Sequence, residues 1–272
     1  MADAYFRLLD DAGTTRSYAS DPSTAGPWDP RFQHGGPPSA LLVAAAERAA
    51  GAAGDRPDLV ALRYAAEFVR PVPVDRIEVT ASIVRAARSA VLVDVALHAG
   101  ARLCLQARVW LVRHSDTSAL ATPLATPLDA PDPPRADLPG IGASFPYGES
   151  IEWRALSGSL REPGPAVVWA RPTQPALADV ALTGLQAAVL VGDSASGVSA
   201  ELDWDVWSFQ NVDLDVHLAR PMHGDWLLLD AVTRIGPAGS ALATSRVSDL
   251  AGPLGTTAAT LVVAPRIVEV RG

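Results

Sequence analysis

The chain has 272 residues, 49% of them hydrophobic, and a formal net charge of −8 at pH 7. That length fits one large domain or two of ordinary size, with enough apolar residues for two cores. The acidic balance argues against a nucleic-acid surface, which is normally basic, and against an anionic membrane surface, so an anionic substrate would have to be attracted by local arginines.

Residues 5–18 predict one or two short strands with a turn at 11–13, and a turn-rich stretch follows at 21–30. His34-Gly35-Gly36-Pro37-Pro38-Ser39 then leads into the Ala-rich residues 40–50. Proline is favoured in a helix's first turn, where its missing N–H has no intrahelical partner anyway, and alanine is the strongest helix former. Glu47 and Arg48 are the charges in this stretch, so the helix is expected to be buried on most sides. Four runs rich in Val, Ile, Leu and Ala follow at 59–68, 76–85, 90–98 and 102–112. Short turns separate them and no helix intervenes, which predicts an antiparallel meander.

After residue 113 the character of the chain changes. Pro123, Pro127, Pro131, Pro133, Pro134 and Pro139 break any regular element, which predicts a semi-extended linker over 114–147. The remainder repeats the earlier order. Strands are expected at 150–156 and 166–170, a helix over 176–191, and strands at 209–218, 225–234, 241–248 and 255–263. One helix followed by a curved antiparallel sheet, twice over, is an α+β architecture with domains at 1–113 and 148–272.

The repetition is visible in the residues. Leu62–Pro71 reappears as Val212–Pro221 at an offset of 150, with Arg70/Arg220, Pro71/Pro221, Asp75/Asp225 and Ala81/Ala231 identical. One extra residue near Ala251 shifts the offset to 151, where Leu103/Leu254, Ala107/Ala258 and Val112/Val263 coincide. Two long copies predict two similar units packed together, with the functional site between them.

Cys104, the single cysteine, lies in an apolar alternating stretch and reads as a small buried hydrophobe. No intrachain disulfide framework is possible, and the N-terminus lacks a signal-peptide pattern, so a cytoplasmic location is expected. No apolar run reaches membrane-span length. His34, His98, His114, His217 and His223 show no zinc-ligand spacing, so no metal or other cofactor is expected.

A long buried helix wrapped by an antiparallel sheet resembles the hotdog fold. Two copies in one chain resemble the double-hotdog acyl-CoA thioesterases of the bacterial thioesterase II type and their actinobacterial thioesterase-like relatives. Phe32-Gln33-His34-Gly35-Gly36-Pro37 carries the resemblance at the opening of the first helix. Arg70-Pro71, Ala219-Arg220-Pro221 and Asp225-Trp226-Leu227 carry it around the strands that follow each helix. The resemblance implies hydrolysis of acyl-CoA or acyl-carrier thioesters, with an Asp at the start of the second helix, a Thr in the next strand and a Gln in the last strand holding the attacking water. By that resemblance Asp179 takes the Asp position, Asn211 the Thr position and Thr260 the Gln position.

The residues themselves fit that chemistry in part. Water attack on a thioester needs a base, donors for the oxyanion and a slot for the acyl chain. Asp179 has apolar neighbours on both sides, and a desolvated carboxylate gains basicity; it is equally a first-turn acid favoured by the helix dipole. Gly35 and Gly36 would let a ligand approach the N–H groups of the first helix, or simply form a helix-entry turn. His34 is a pocket residue that could orient substrate. Trp204, Trp207, Phe209 and Trp226 could line the slot, although aromatics around a buried helix more often form core.

Two other functions remain open at this point. Gly192-Asp193-Ser194-Ala195-Ser196 superficially resembles a serine nucleophile elbow at Ser194, but the final glycine is replaced by Ser196. A non-catalytic acyl-binding protein on the same fold is the stronger rival, because two of the three positions differ from the family's. A homo-oligomer is compatible with either reading. Acyl length, carrier and pathway are not encoded in any motif of the chain.

Overall fold

The computed structural model describes residues 4–54, 58–122, 145–158 and 162–266. Among the described residues, thirteen strands form one continuous sheet. In the first half these are β1 (Phe6–Ala12), β2 (Thr15–Ser20), β3 (Leu59–Phe68), β4 (Arg76–Ala86), β5 (Ala90–Ala99) and β6 (Arg102–Arg113), with helix α1 (Gly36–Ala52) between β2 and β3. A short helix, α2 (Pro146–Glu149), opens the second half. Then come β7 (Ile151–Ser157), β8 (Ala166–Pro172), α3 (Gly184–Gly192), α4 (Ala195–Val198), β9 (Trp207–Asn211), β10 (Asp213–Leu218), β11 (Leu227–Ile235), β12 (Ser240–Asp249) and β13 (Gly252–Pro265). Of the linker expected at 114–147, residues 123–144 lie outside the described residues.

The sheet order is β1-β2-β4-β5-β6-β3-β10-β13-β12-β11-β8-β7, with β9 paired to β13. Read outward from the β3–β10 contact, the two halves carry their strands in matching order. At that contact Ala65 pairs with Asp215. These two residues are repeat equivalents at the offset of 150, as antiparallel pairing across a pseudo-twofold axis requires.

The strand faces follow from the pleat. β5 alternates buried and half-buried residues, with Val91, Val93, Val95 and Leu97 turned inward. They pack on α1, whose residues from Gly36 to Val43 are all buried. The helix can be apolar on every side because β3 to β6 cover one flank and α3 another. The helices pass with backbone contact: a Cβ on Gly36 would collide with the Leu190 carbonyl of α3. They run antiparallel, since Glu47 late in α1 accepts hydrogen bonds from Thr183 and Gln186 at the start of α3.

The meander expected over 59–112 holds for β4, β5 and β6 only, because β3 pairs with β6 and β10 and not with β4. Two further expectations change, and the serine-elbow rival loses its footing. The second helix begins at Gly184, not near 176. Tyr5 and Phe6 donate backbone hydrogen bonds to the Pro175 and Ala176 carbonyls, so this segment pairs beside β1 instead of coiling. Asp179 has φ 61°, which ends any right-handed helix there, and Thr183 caps the real one through its hydroxyl. The run expected as one strand over 209–218 is split at Val212 into β9 and β10. Finally, Leu190–Gly192 is helical, so the strand that a nucleophile elbow at Ser194 requires is missing. Among the described residues no helix is long and apolar enough to cross a membrane, which says nothing of a β-barrel.

Candidate active site

The start of α1 meets the end of α3 at a cleft of about 530 Å³. Asp193 follows the last residue of α3 and is only 4% exposed. Its Oδ1 accepts from Asn211 Nδ2 at 2.6 Å, and its Oδ2 lies 2.9 Å from His34 Nδ1. Asn211, the last residue of β9, also donates to the Asp193 carbonyl at 3.2 Å, and its Oδ1 accepts from Ser196 Oγ at 3.4 Å. The strand break at Val212 turns the amide inward at this point.

A carboxylate at a helix C-terminus faces the negative end of the helix dipole. Here it is aimed at the positive end of the neighbouring helix. A Cβ on Gly35 would lie 2.7 Å from Asp193 Oδ2 and 2.7 Å from Phe68 Cε1, so only glycine allows this approach. Pro37 and Pro38 supply no N–H, which leaves the Gly35 and Gly36 amides to serve a ligand at the helix start.

His34 is held face to face with Tyr147, ring centroids 3.9 Å apart. Tyr147 donates to the Leu190 carbonyl at 2.6 Å. Burial pushes its phenol well above the usual range, so it remains a protonated donor. The Gly36 N–H also donates to His34 Nδ1, at 3.2 Å. Nδ1 cannot accept that bond and donate to Asp193 at once. With the proton on Nδ1 the imidazole pairs with Asp193, and the Gly36 N–H is free for a ligand oxygen. Trp28, Trp204 and Phe209 form an aromatic wall, Trp28 stacked on Trp204 at 5.0 Å.

The expected trio of Asp179, Asn211 and Thr260 does not converge. Asp179 is exposed and lines a different cleft, with Pro175 and Leu182. It and Asp193 lie off opposite ends of α3, and the nine-residue helix alone spans about 13 Å. Thr260 shares a strand face with the cleft residue Val262, but it is exposed and its hydroxyl donates to Asp213 Oδ2 at 3.1 Å. Asn211, His34 and Gly35 do meet at the cleft, and Gly36 adjoins it through its amide. Of the four aromatics named above, Trp204 and Phe209 line it. Trp226 instead packs against Trp169 beneath Arg154 and Arg171.

Sequence reasoning missed Asp193, Ser196 and Tyr147. A usable signal existed for the first. In each half an almost uncharged apolar run is followed by one acid, Glu47 or Asp193, and the second sits 18 residues before Asn211.

Residues 123–263, more than half of the chain, match the family model described as the acyl-CoA thioesterase C-terminal domain, and residues 24–112 match the N-terminal domain of the same enzymes. A conserved protein of unknown function with a hot dog fold from Alicyclobacillus acidocaldarius is 19% identical over 98% of this chain and 97% of that chain, with a TM-score of 0.72. The tesB protein of Mycobacterium avium subs. paratuberculosis is 15% identical over 95% and 96%, at 0.69. The acyl-CoA thioesterase II TesB2 of Mycobacterium marinum is 17% identical over 98% and 97%, at 0.65. These likenesses establish the expected α+β double hotdog. No curated protein sequence matches the chain.

Proposed function

Since the chain belongs to the acyl-CoA thioesterase family, we propose that the cleft between α1 and α3 hydrolyses acyl-CoA thioesters, with Asp193 activating the water. The observation that carries this reading is the buried Asp193 carboxylate, held by Asn211 and His34 and pointed at the start of α1. A thioester carbonyl placed over Gly35 and Gly36 would turn its oxygen towards the helix amides. Those amides stabilise the oxyanion as charge develops.

Water held by Asp193 attacks the carbonyl carbon and passes a proton to the carboxylate. The tetrahedral intermediate collapses, the C–S bond breaks, and the thiolate leaves and takes up the proton. Asn211 fixes the carboxylate, and Ser196 fixes Asn211. The acyl group lies against Trp28, Trp204 and Phe209, and exposed Arg70 at the rim faces the anionic carrier. No covalent enzyme intermediate is needed. Ser194 is buried, and its hydroxyl is engaged with the Tyr147 hydroxyl at 3.0 Å.

A second reading has its own support. The contact of 2.9 Å between His34 Nδ1 and Asp193 Oδ2 is also how a carboxylate orients a histidine base. His34→Gln separates the two. Under the first reading its turnover falls modestly and Asp193→Asn is crippled; under the second both variants are crippled alike. Free-thiol release from a panel of acyl-CoAs is the measurement. Tight acyl-CoA binding without any turnover in the wild-type chain would replace hydrolysis with an acyl-binding role.

A further inference from the structure

The pseudo-twofold axis gives the molecule a second cleft, at the start of α3 and the end of α1, with a volume of about 340 Å³. Its walls are the repeat equivalents of the first. Leu59 stands where Phe209 stands, Ala61 where Asn211 stands, Leu218 where Phe68 stands and Met222 where Val72 stands. Glu47, on a different register of its helix from Asp193, is the acid that here reaches the opposite helix's start.

The second cleft has lost the means to activate water. Ala61 offers no amide to a carboxylate. Glu47 is tied to the helix start itself: Oε1 accepts from the Thr183 hydroxyl at 2.7 Å and Oε2 from Gln186 Nε2 at 2.6 Å. Met222 crowds the helix start, where a Cβ on Gly184 would lie 2.7 Å from the Met222 Cβ. A thioester carbonyl therefore has no access to the α3 amides. An apolar trough remains, formed by Leu59, Leu62, Leu111, Leu218 and Met222. One flank is open, because a Cβ at Gly51 would meet nothing within 4 Å.

We propose that this second cleft is a non-hydrolytic binding site for the aliphatic acyl chain of an acyl-CoA thioester. The proposal rests on the reading that the first cleft accepts acyl thioesters, because the two troughs are built from equivalent positions. It goes beyond that reading in assigning two acyl sites with different fates to one chain.

The test is a titration of the full chain with a non-hydrolysable dodecyl-CoA thioether, followed by calorimetry and tryptophan fluorescence. Trp28 and Trp204 line the first cleft and no tryptophan lines the second. Two equivalents should bind, one changing the fluorescence and one silent. Gly51→Phe places a side chain in the open flank and replaces a helix glycine with a better helix former. It should weaken the silent equivalent at least about tenfold, while the fluorescent equivalent and acyl-CoA hydrolysis change less than about twofold. Gly51→Ala, too small to fill the trough, should keep both equivalents. A parallel titration with dodecanoate checks the occupant: silent binding of the thioether alone is expected, and silent binding of dodecanoate as tight as that of the thioether overturns the thioester assignment. A single equivalent in wild type, or a silent equivalent untouched by Gly51→Phe, overturns the proposal. Absence of hydrolysis and of the fluorescent phase, with the silent phase intact, defeats the reading of the first cleft and sustains this one.

Discussion

The two clefts of this molecule start from one plan and end with different linings. In the first, an amide at position 211 and an imidazole at 34 hold a buried carboxylate that faces a glycine-opened helix start. In the second, alanine stands in place of the amide, and the acid closes a hydrogen-bonded link between helices. The same acid-to-helix-start placement is thus the proposed machinery in one half and a brace in the other. What separates them is which groups hold the carboxylate: a strand amide and the imidazole ahead of α1 in the first, the capping hydroxyl and a first-turn amide of α3 itself in the second. Burial pushes the Glu47 carboxyl above its ordinary range, and the Thr183 and Gln186 donors offset part of that rise.

The sharpest way to break the comparison is to exchange the acids for their amides. Asp193→Asn should lower turnover ~10²–10⁴-fold with the fold intact, the usual worth of a positioned base. Glu47→Gln should leave turnover within about twofold. Because the folded-state value of Glu47 is raised, its contribution is fully present below the unfolded carboxylate range and is lost as pH rises through the folded value. Glu47→Gln should therefore flatten that part of the stability profile, read by urea melts at several pH values. Equal loss of turnover in both variants would erase the distinction between the clefts.

The Arg-Pro motifs give the next contrast. Arg220 makes paired hydrogen bonds of 2.6 Å to Asp249, whose side chain is 0% exposed, whereas exposed Arg70 donates to the Leu103 carbonyl. Arg220→Ala strands a buried charge and should cost about 3–5 kcal/mol in denaturant unfolding. Arg70→Ala should cost within about 0.5 kcal/mol. Burial alone would raise Asp249, but Arg220 and the His223 and Ala251 amides hold its carboxyl below the usual range. A depressed folded value stabilises above the unfolded carboxylate range and is lost as pH falls through the folded one. Acid unfolding of wild type should therefore set in at lower pH than that of Arg220→Ala.

The glycines close the series. Gly35→Ala drives a methyl group into Asp193 and Phe68 and should cost about 1–3 kcal/mol together with activity. Gly51→Ala should gain about 1 kcal/mol, since it meets only open space in a helix. A neutral Gly35→Ala would show that the two helices can separate at no cost.

The strands of the first half could be read from the sequence because β3 to β6 alternate simply, but only β4, β5 and β6 lie in the order their short turns suggest; β3 sits beyond β6, where it meets β10, a partner that nothing local marks. The repeat extended that reading to the second half. The start of α3 could not be read this way. Residues 176–181 have helix-forming composition, and what diverts them is the edge of β1, formed about 170 residues earlier in the chain. The expected helix start therefore fell beside Asp179, five residues before the real one at Gly184. Asn211 and the His34-Gly35-Gly36 entry, singled out beside motifs with fixed spacing, do line or adjoin the cleft. Tyr147 was not found because nothing local marks a tyrosine that will stack on a histidine 113 residues away.

The pairing of Ala65 with Asp215 also has a kinetic meaning. Before β3 and β10 meet, each half shows a bare strand border and an uncovered helix flank. A bare border is a template for pairing with any other chain. Closing it joins residues 150 positions apart, a contact far costlier in chain entropy than the local meanders on either side. The halves should therefore form first and zip together last. A nascent chain that has emerged only as far as the prolines is at its most prone to clump, and a severed first half would seek a copy of itself.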